Sequence, residues 1–422
     1  MLNRIKALFQ GGFFHILSSS LLNKCITFVS NIFLVRLLTK NDYGVFTGAF
    51  NAYFIVFLFS GFGITSGMLY ACSKNISREE KNTYYRYCFR FGLISEFFLS
   101  AALVIYGVFG DVGIEETRNY IISLAGLPFI AFLFDYFSII LRAERSNKKY
   151  SYLLNIHSAC YAAFALLGAL AGGIAGTIAG RYLSYVVGAV IGFLFCREFV
   201  DLGWKEPLGK EKTADLTKYS LKAGVTSALN VILYRIDVMV ITIVVADASI
   251  LAAYKTGTQL PENLNFIPQC MMVYYIPLFV QHLADVQWIK QKTKEIYLFV
   301  GGVSIAIGLV IYLFAPLIVT ILWGENYLDA VPCMRILTLS FVILSTFRIT
   351  STNILLSLKR AGYTMMISII TGVTNIGLDV LLTVRYGSIG AAYATLIVTI
   401  LAAVLSFPYV LYIVYSGKQK YE

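Results

Sequence analysis

Apolar segments long enough to cross a membrane recur along the whole chain. A hydrocarbon core of about 30 Å needs roughly 20 residues of helix, because each residue adds about 1.5 Å. Twelve such segments can be delimited, and polar residues are concentrated in the connections between them. The segments are 13–37, 46–72, 88–109, 119–141, 152–172, 175–196, 221–245, 249–280, 296–322, 330–357, 363–384 and 388–415. This pattern predicts an all-α membrane protein with twelve transmembrane helices.

The composition agrees with this class. Hydrophobic residues make up 58% of the 422 residues, charged residues make up 14%, and the mean hydropathy is +0.74. Soluble domains are about half apolar and about a quarter charged. The seven cysteines are scattered without a CxxC pair. We therefore expect no disulfide framework, no metal site and no cofactor.

The distribution of basic residues predicts the topology. Of the 34 Lys and Arg residues, 24 lie in alternate connections, at 1–12, 73–90, 142–149, 197–222, 285–294, 359–360 and 417–422. Cytoplasmic loops of membrane proteins are enriched in Lys and Arg, so this asymmetry predicts that both termini are cytoplasmic. It also accounts for the net charge of +11 without a nucleic-acid partner.

The longest polar stretch lies at the midpoint of the chain. We expect 197–220 to be a cytoplasmic linker between six-helix bundles at 1–196 and 221–422. Two internal similarities support this division: AGGIAGTIAG with YGSIGAAYAT, and GVFGDVGIEETRNYI with TILWGENYLDAVPCM, at an offset of about 214 positions. Six helices per half predict a parallel pseudo-two-fold axis along the membrane normal. Transporters built in this way bind their substrate between the halves.

Eleven charged residues fall inside the predicted spans. They are Lys24, Arg181, Arg235, Lys255, Arg335, Arg348, Glu96, Asp135, Asp237, Glu262 and Asp379. A charge at the bilayer centre costs roughly 2.5–3.5 kcal/mol, so most of them should face each other or water. Arg181 and Arg335 lie near the outer surface, where a long side chain can snorkel. Glu96 and Asp135 fit either a polar contact between helices or a functional role.

The spacing of these residues places several of them on polar helix faces. In span 8, Lys255, Gln259 and Glu262 follow one another at i, i+4 and i+7, and in span 1 Lys24 and Asn31 are seven positions apart. Span 8 also contains three prolines, and its counterpart, span 2, has three glycines within 61–67. Interrupted spans at matching places are the best indication in a sequence of a transport site.

These features give a hypothesis for the functional residues. The residues expected to line a substrate-binding cavity are Lys24, Asn31, Arg235, Lys255, Gln259 and Arg348. Coupling to an ion gradient is expected to use Asp237 or Glu262 ahead of Asp379, because a buried carboxylate can exchange a proton or bind sodium. Asp237 also fits a simpler role as the counter-ion of a nearby Lys or Arg.

Four motifs resemble the bacterial Wzx-type polysaccharide repeat-unit flippases of the multidrug/oligosaccharidyl-lipid/polysaccharide exporter superfamily. RLLTKNDYGVF at 36–46 is similar to the family's turn between spans 1 and 2, and YRIDVMVI at 234–241 to its span 7. ILWGENYLDAVPCMRIL at 321–337 and YGSIGAAYATLI at 386–397 resemble its later turns. The resemblance covers essentially the whole chain. Asp379 departs from it, since many relatives carry Asn there.

The resemblance implies a multi-pass protein of the bacterial inner membrane. Such a protein flips an oligosaccharide on a polyprenyl pyrophosphate of the undecaprenyl type to the outer leaflet, for O-antigen, capsule or exopolysaccharide. It implies lipid, a polysaccharide polymerase and a chain-length regulator as partners. Lys and Arg can bind the pyrophosphate, Arg with two fixed donors.

Other functions are compatible with parts of the sequence. They include a multidrug extruder of the same superfamily, a passive scramblase, and a membrane-embedded polymerase or glycosyltransferase. The short external connections and the lack of a catalytic motif favour transport over enzyme activity.

Overall fold

The helices of this protein form two compact units. The computed structural model describes residues 13–74, 76–200, 207–232, 236–282, 285–358 and 360–416. All regular elements within these residues are helical, and eight helical segments are long and apolar enough to cross a membrane. The units are Met1–Ile232 and Leu233–Glu422. The division falls later than the expected linker at 197–220, because the helix that follows the linker packs on the first unit.

Within the residues that the structure describes, unit 1 contains eight α-helices. They are α1 (Phe13–Leu37), α2 (Lys40–Phe57), α3 (Ile64–Cys72), α4 (Arg78–Phe109), α5 (Thr117–Ser123), α6 (Leu127–Ala143), α7 (Asn147–Cys196) and α8 (Lys210–Ile232). Apolar faces of α3, α4, α6 and α7 form a common core in which Met68, Tyr85, Tyr136 and Leu153 are fully buried. This core holds the four helices together through close packing, because lipid is as apolar as the side chains and burial alone gives little drive for association.

Unit 2 continues with seven helices in the described residues. They are α9 (Ile236–Val240), α10 (Ala248–Leu264), α11 (Phe266–Gln281), α12 (Val286–Leu322), α13 (Val331–Ile343), α14 (Thr350–Ser357) and α15 (Ala361–Tyr415). π-Helical turns at Ile241–Val245 and Leu344–Ile349 follow α9 and α13. The predicted interruption of span 8 lies at Asn265, between α10 and α11, and Pro261 stays inside α10.

Span 2 is interrupted at two of the glycines that predict a break in its helix. Between α2 and α3 the chain forms a single turn, Ser60–Gly63, in which Gly61, Phe62 and Gly63 have φ values of 57°, 45° and 79°. Glycine adopts these left-handed angles without the steric cost that a Cβ brings. A break inside a membrane frees backbone N–H groups that need new acceptors. The N–H of Gly61 finds one in the Glu96 carboxylate, at 2.8 Å.

Helices α7 and α15 each reverse direction at a glycine. In α7 the reversal lies at Gly172 and Gly173, and Gly173 has a φ of 56°. The two limbs are so close that a Cβ on Gly168 would lie 2.1 Å from the carbonyl oxygen of Gly176. In α15 the reversal lies at Gly387, with a φ of 60°. Both elements are therefore helical hairpins, and their reversals lie at the boundaries between the predicted spans 152–172 and 175–196 and between 363–384 and 388–415.

A second close backbone approach joins the interrupted span to α8. A Cβ on Gly63 would lie 2.3 Å from the carbonyl oxygen of Ser220, and a Cβ on Gly224 would lie 2.9 Å from the Cα of Gly63. Small residues let helix backbones touch in this way, which favours association in lipid. The contact ties α8 to unit 1.

The end of α4 is capped by an arginine. Arg118 donates to the carbonyl oxygens of Gly107 at 2.8 Å and Val108 at 3.1 Å. Its guanidinium also forms a two-point ion pair with Glu115, at 2.9 and 3.0 Å. The last carbonyls of a helix have no partner within it, and a cation there interacts favourably with the helix dipole.

Candidate functional site

A buried carboxylate at the start of α9 anchors the candidate site in unit 2. Asp237 is 8% exposed and accepts a hydrogen bond from the hydroxyl of Tyr254, which is fully buried on α10. Its other oxygen accepts from the N–H of Val238 at 2.9 Å. Both oxygens therefore have a donor, which offsets the cost of burying the group.

A second buried carboxylate comes from α15. Asp379 is fully buried and accepts from the side-chain amide of Asn375, one turn earlier, at 2.7 Å. Its Oδ1 atom has no hydrogen-bond partner among the described residues. The charge of Asp379 acts on both Tyr254 and Asp237, because α9 packs against α15. The fold thus brings together two acids that are far apart in sequence.

Lys255 and Glu262 form an ion pair along α10. The Nζ atom of Lys255 lies 3.1 Å from Oε2 of Glu262, and the side chains are 17% and 47% exposed, respectively. Both residues are close enough to act electrostatically on Asp237. Gln259 lies between them on the same helix and is buried. The polar face expected from the i, i+4, i+7 spacing is therefore present.

Arg348 lies in the π-helical turn that follows α13. It is 6% exposed and donates to the hydroxyl of Ser368 on α15 at 2.8 Å. π-Helical turns inside membrane or soluble helices often occur at functional sites. Arg348 is therefore buried inside unit 2, and its role in a cavity stays a prediction.

The remaining expected cavity residues lie elsewhere. Lys24 is exposed and Asn31 is partly buried, both on α1 of unit 1. Arg235 lies outside the described residues. The structure therefore groups Lys255, Gln259 and the acids in unit 2 and leaves the α1 residues in unit 1.

Two members of the unit 2 group were not expected from the sequence. Asn375 precedes Asp379 by four residues, a spacing that places both on one helix face and could have indicated the pair. No sequence pattern indicates Tyr254. It meets Asp237 only because the fold places α10 beside the start of α9. The group can exchange a proton or hold a small cation, since two nearby carboxylates favour binding of positive charge.

The fold matches those of solved transporters. An inward-facing multidrug resistance MATE family transporter of the MOP superfamily gives a TM-score of 0.75, over 95% of this chain and 96% of its own, at 15% identity. The lipid II flippase MurJ in an inward closed conformation also gives 0.75, over 94% and 87%, at 13% identity. The chain thus has the fold of these transporters, and eight of its described helical segments are long and apolar enough to cross a membrane.

The sequence comparisons give the family. Residues 33–332 match the family described as polysaccharide biosynthesis protein. The EPS I polysaccharide export inner membrane protein EpsE of Ralstonia solanacearum is 22% identical over 331 residues, which are 77% of this chain and 76% of that protein. The chain belongs to the polysaccharide biosynthesis protein family, which confirms the resemblance seen in its motifs.

Proposed function

We propose that this protein flips an oligosaccharide linked to a polyprenyl pyrophosphate across the bacterial inner membrane, by alternating access. The observation that carries the proposal is the polysaccharide biosynthesis family match over 33–332 in a chain with a transporter fold. The likeness to a lipid II flippase adds support. A glycan head group cannot enter hydrocarbon unaided, so the protein must supply a polar route while the lipid tail stays in the bilayer.

Cationic side chains are proposed to bind the pyrophosphate. Lys24, Arg235, Lys255 and Arg348 are the cations placed inside spans away from the predicted outer surface, with Asn31 and Gln259 beside them in sequence. Lys255 is partly exposed within unit 2 and Arg348 is held in position by Ser368. Charge-assisted bonds to phosphate are about twice as strong as neutral ones, so these residues favour an anionic head group.

The acids Asp237 and Asp379 are proposed to couple flipping to an ion gradient. They share one buried neighbourhood, and Asp379 has an oxygen without a hydrogen bond in the described part of the chain. Glu262 is a weaker candidate, because it already forms an ion pair with Lys255. Transport in vesicles by Asp237→Asn and Asp379→Asn proteins should lose its response to an imposed proton or sodium gradient, and Glu262→Gln protein should keep it.

The proposed topology has twelve spans, two bundles related by a parallel pseudo-two-fold, and cytoplasmic termini. The hairpins of α7 and α15 support it, since each occupies the end of its half of the chain. Reporter enzymes fused after Ser416 and within 110–118 test it. A periplasmic signal from the Ser416 fusion would exclude this topology.

Flipping is tested in a strain that lacks this gene. Surface polysaccharide should disappear and lipid-linked oligosaccharide should accumulate with its head group in the cytoplasm. The wild-type gene should reverse both effects. Proteoliposomes holding the purified protein and the extracted lipid-linked oligosaccharide should then show head-group transfer. Normal surface polysaccharide in the deletion strain, together with no transfer in proteoliposomes, would reject the proposal.

Multidrug extrusion is the second candidate, favoured by the likeness to a MATE family transporter. The same deletion strain separates the two functions. Sensitivity to cationic dyes without loss of surface polysaccharide would support extrusion. If flipping is correct, a polysaccharide polymerase and a chain-length regulator are the proposed partners that consume the product.

A further inference from the structure

A carboxylate in the core of unit 1 has an unused oxygen. Glu96, on α4, is fully buried. Its Oε1 atom accepts hydrogen bonds from the Ser60 hydroxyl at 2.7 Å and from the Gly61 N–H at 2.8 Å. Its Oε2 atom has no hydrogen-bond partner in the described ranges. An unsatisfied buried polar atom costs about 1–3 kcal/mol, and more when it is charged.

Two further oxygen atoms with unused bonding capacity are present in the same part of unit 1. The hydroxyl of Tyr53, on α2, has no partner among the described residues, and Tyr53 is only 2% exposed. The helices α2 and α4, which carry Tyr53 and Glu96, pack against each other, and the charge of Glu96 reaches Tyr53. Ser100 lies one turn beyond Glu96 on α4, and its buried hydroxyl oxygen is also unpartnered. Three buried oxygen atoms on α2 and α4 are therefore without a hydrogen-bond partner among the described residues.

A second acid lies close to this group. Asp135, on α6, acts electrostatically on both Glu96 and Tyr53, and its side chain is only partly buried. Neither carboxylate forms an ion pair with any residue that the structure describes. Two carboxylates without a counter-ion favour uptake of positive charge.

The cation Arg181, also in unit 1, contacts aromatic rings and forms no ion pair with Glu96 or Asp135 among the described residues. Arg181 lies 3.5 Å from the ring centre of Phe50 and 4.4 Å from that of Tyr161, and it donates to the Tyr161 hydroxyl. Its charge reaches Tyr53 and Tyr185 without forming an ion pair with an acid. His157 stacks on the ring of Phe134.

We propose that Glu96, Tyr53 and Ser100, with Asp135 beside them, form a monovalent-cation site in unit 1. The ligand is a proton or Na⁺, because Glu96 supplies a single carboxylate oxygen without a hydrogen bond and the hydroxyls of Tyr53 and Ser100 add only neutral oxygens. The site is separate from the Asp237–Asp379 pair of unit 2, and its existence does not depend on the flipping function. Glu96 also holds the turn Ser60–Gly63, so the ligand acts on the hydrogen bonds that fix the interruption of span 2.

Infrared difference spectroscopy of the full-length protein in lipid nanodiscs tests the site. Spectra at acid and alkaline pH in choline chloride report protonated carboxyl groups through their C=O stretch. Glu96→Gln should remove a component of this band. The matched control, Glu116→Gln, changes an exposed residue and should retain it. Replacing choline by Na⁺ at constant pH should suppress the Glu96 component if sodium binds, and leave it unchanged if the site takes only protons.

Identical spectra for the wild-type and Glu96→Gln proteins in both salts would overturn the proposal. Tyr53→Phe is the second variant, which keeps both carboxylates and the aromatic ring in case Glu96→Gln cannot be purified. It should shift the pH midpoint of the Glu96 component or its sodium dependence. An unaltered spectrum would remove Tyr53 from the site. Because binding is measured without transport, the result is independent of whether the protein flips a lipid-linked sugar.

Discussion

Tyr254 donates its hydroxyl to the carboxylate of Asp237, a residue 17 positions earlier in the chain. Both side chains are buried, and the bond joins α10 to the beginning of α9. The hydroxyl is thus a structural donor and also a direct contact of the proposed coupling acid. This double role makes its removal informative.

Tyr254→Phe removes only this hydroxyl. The buried carboxylate of Asp237 then loses a donor, which costs about 1–3 kcal/mol. We expect a lower midpoint of thermal unfolding for the purified protein in detergent. Tyr393→Phe is the control, because Tyr393 is 45% exposed on α15. Equal midpoints for the two variants would show that the Tyr254 hydroxyl contributes nothing to stability.

Lys255→Met should lower the rate of head-group transfer in proteoliposomes roughly tenfold. This is the effect expected when the protein loses one charge-assisted hydrogen bond to the pyrophosphate. Methionine keeps the length and flexibility of the side chain, so packing is conserved. Glu262→Gln is the control, because it removes the ion-pair partner of Lys255 and keeps the Lys255 charge. The transfer rate of this variant should not fall. Undiminished transfer by Lys255→Met would remove this residue from the binding site.

Gly224→Ala should destabilise the packing of α8 on the interrupted span. The added Cβ would lie 2.9 Å from the Gly63 Cα and 3.0 Å from the Phe62 carbonyl carbon, and neither backbone can yield as a side chain can. Gly302→Ala is the matched control, because nothing lies within 4 Å of its Cβ. Limited proteolysis at the 197–212 connection measures the effect. Cleavage at the same rate in both variants would contradict the prediction.

The Arg118–Glu115 pair should make the end of α4 sensitive to acid. The hydrogen bond from Arg118 lowers the pKa of the Glu115 carboxylate. The pair's stabilisation is therefore complete above the ordinary Glu value, about 4.3, and is lost as pH falls through the lowered folded-state value. The protection of the segment 105–118 from hydrogen exchange, corrected for the intrinsic exchange rate at each pH, should fall in acid for the wild-type protein. Glu115→Gln should show no such fall, and an identical pH dependence of protection in both proteins would refute the role of the pair.

Local signals predicted much of the fold. Gly61 and Gly63 mark the interruption of span 2, and Gly173 and Gly387 mark the two reversals, because each of these positions has a positive φ that glycine accepts readily. The Lys255–Glu262 pair follows directly from helical period. Each of these features is set by residues that are close together in the chain, so a local pattern in the sequence can predict it.

Contacts between distant segments were out of reach. The meeting of Asp237 with Asp379 depends on how α9 packs against α15, and the bond from Ser60 to Glu96 depends on how the turn after α2 meets α4. The division at Ile232 has the same origin, because the contact of Gly63 with Gly224 places α8 in unit 1. Helical period reports which face is polar, and it does not report which other helix that face will meet.

The hairpin of α7 has a consequence for biosynthesis. Its limbs touch through the backbones of Gly168 and Gly176, on either side of a reversal two residues long. At that point the two backbones lie directly against each other, because no side chain separates them. No other helix can pack between the limbs there. We expect the two limbs to leave the translocon together as one insertion unit. The second limb should not need a later helix in order to insert. A nascent chain long enough for Cys196 to have left the ribosome should therefore already carry a folded hairpin, whereas one in which Gly176 is still inside the ribosome should hold a first limb in contact with the translocon.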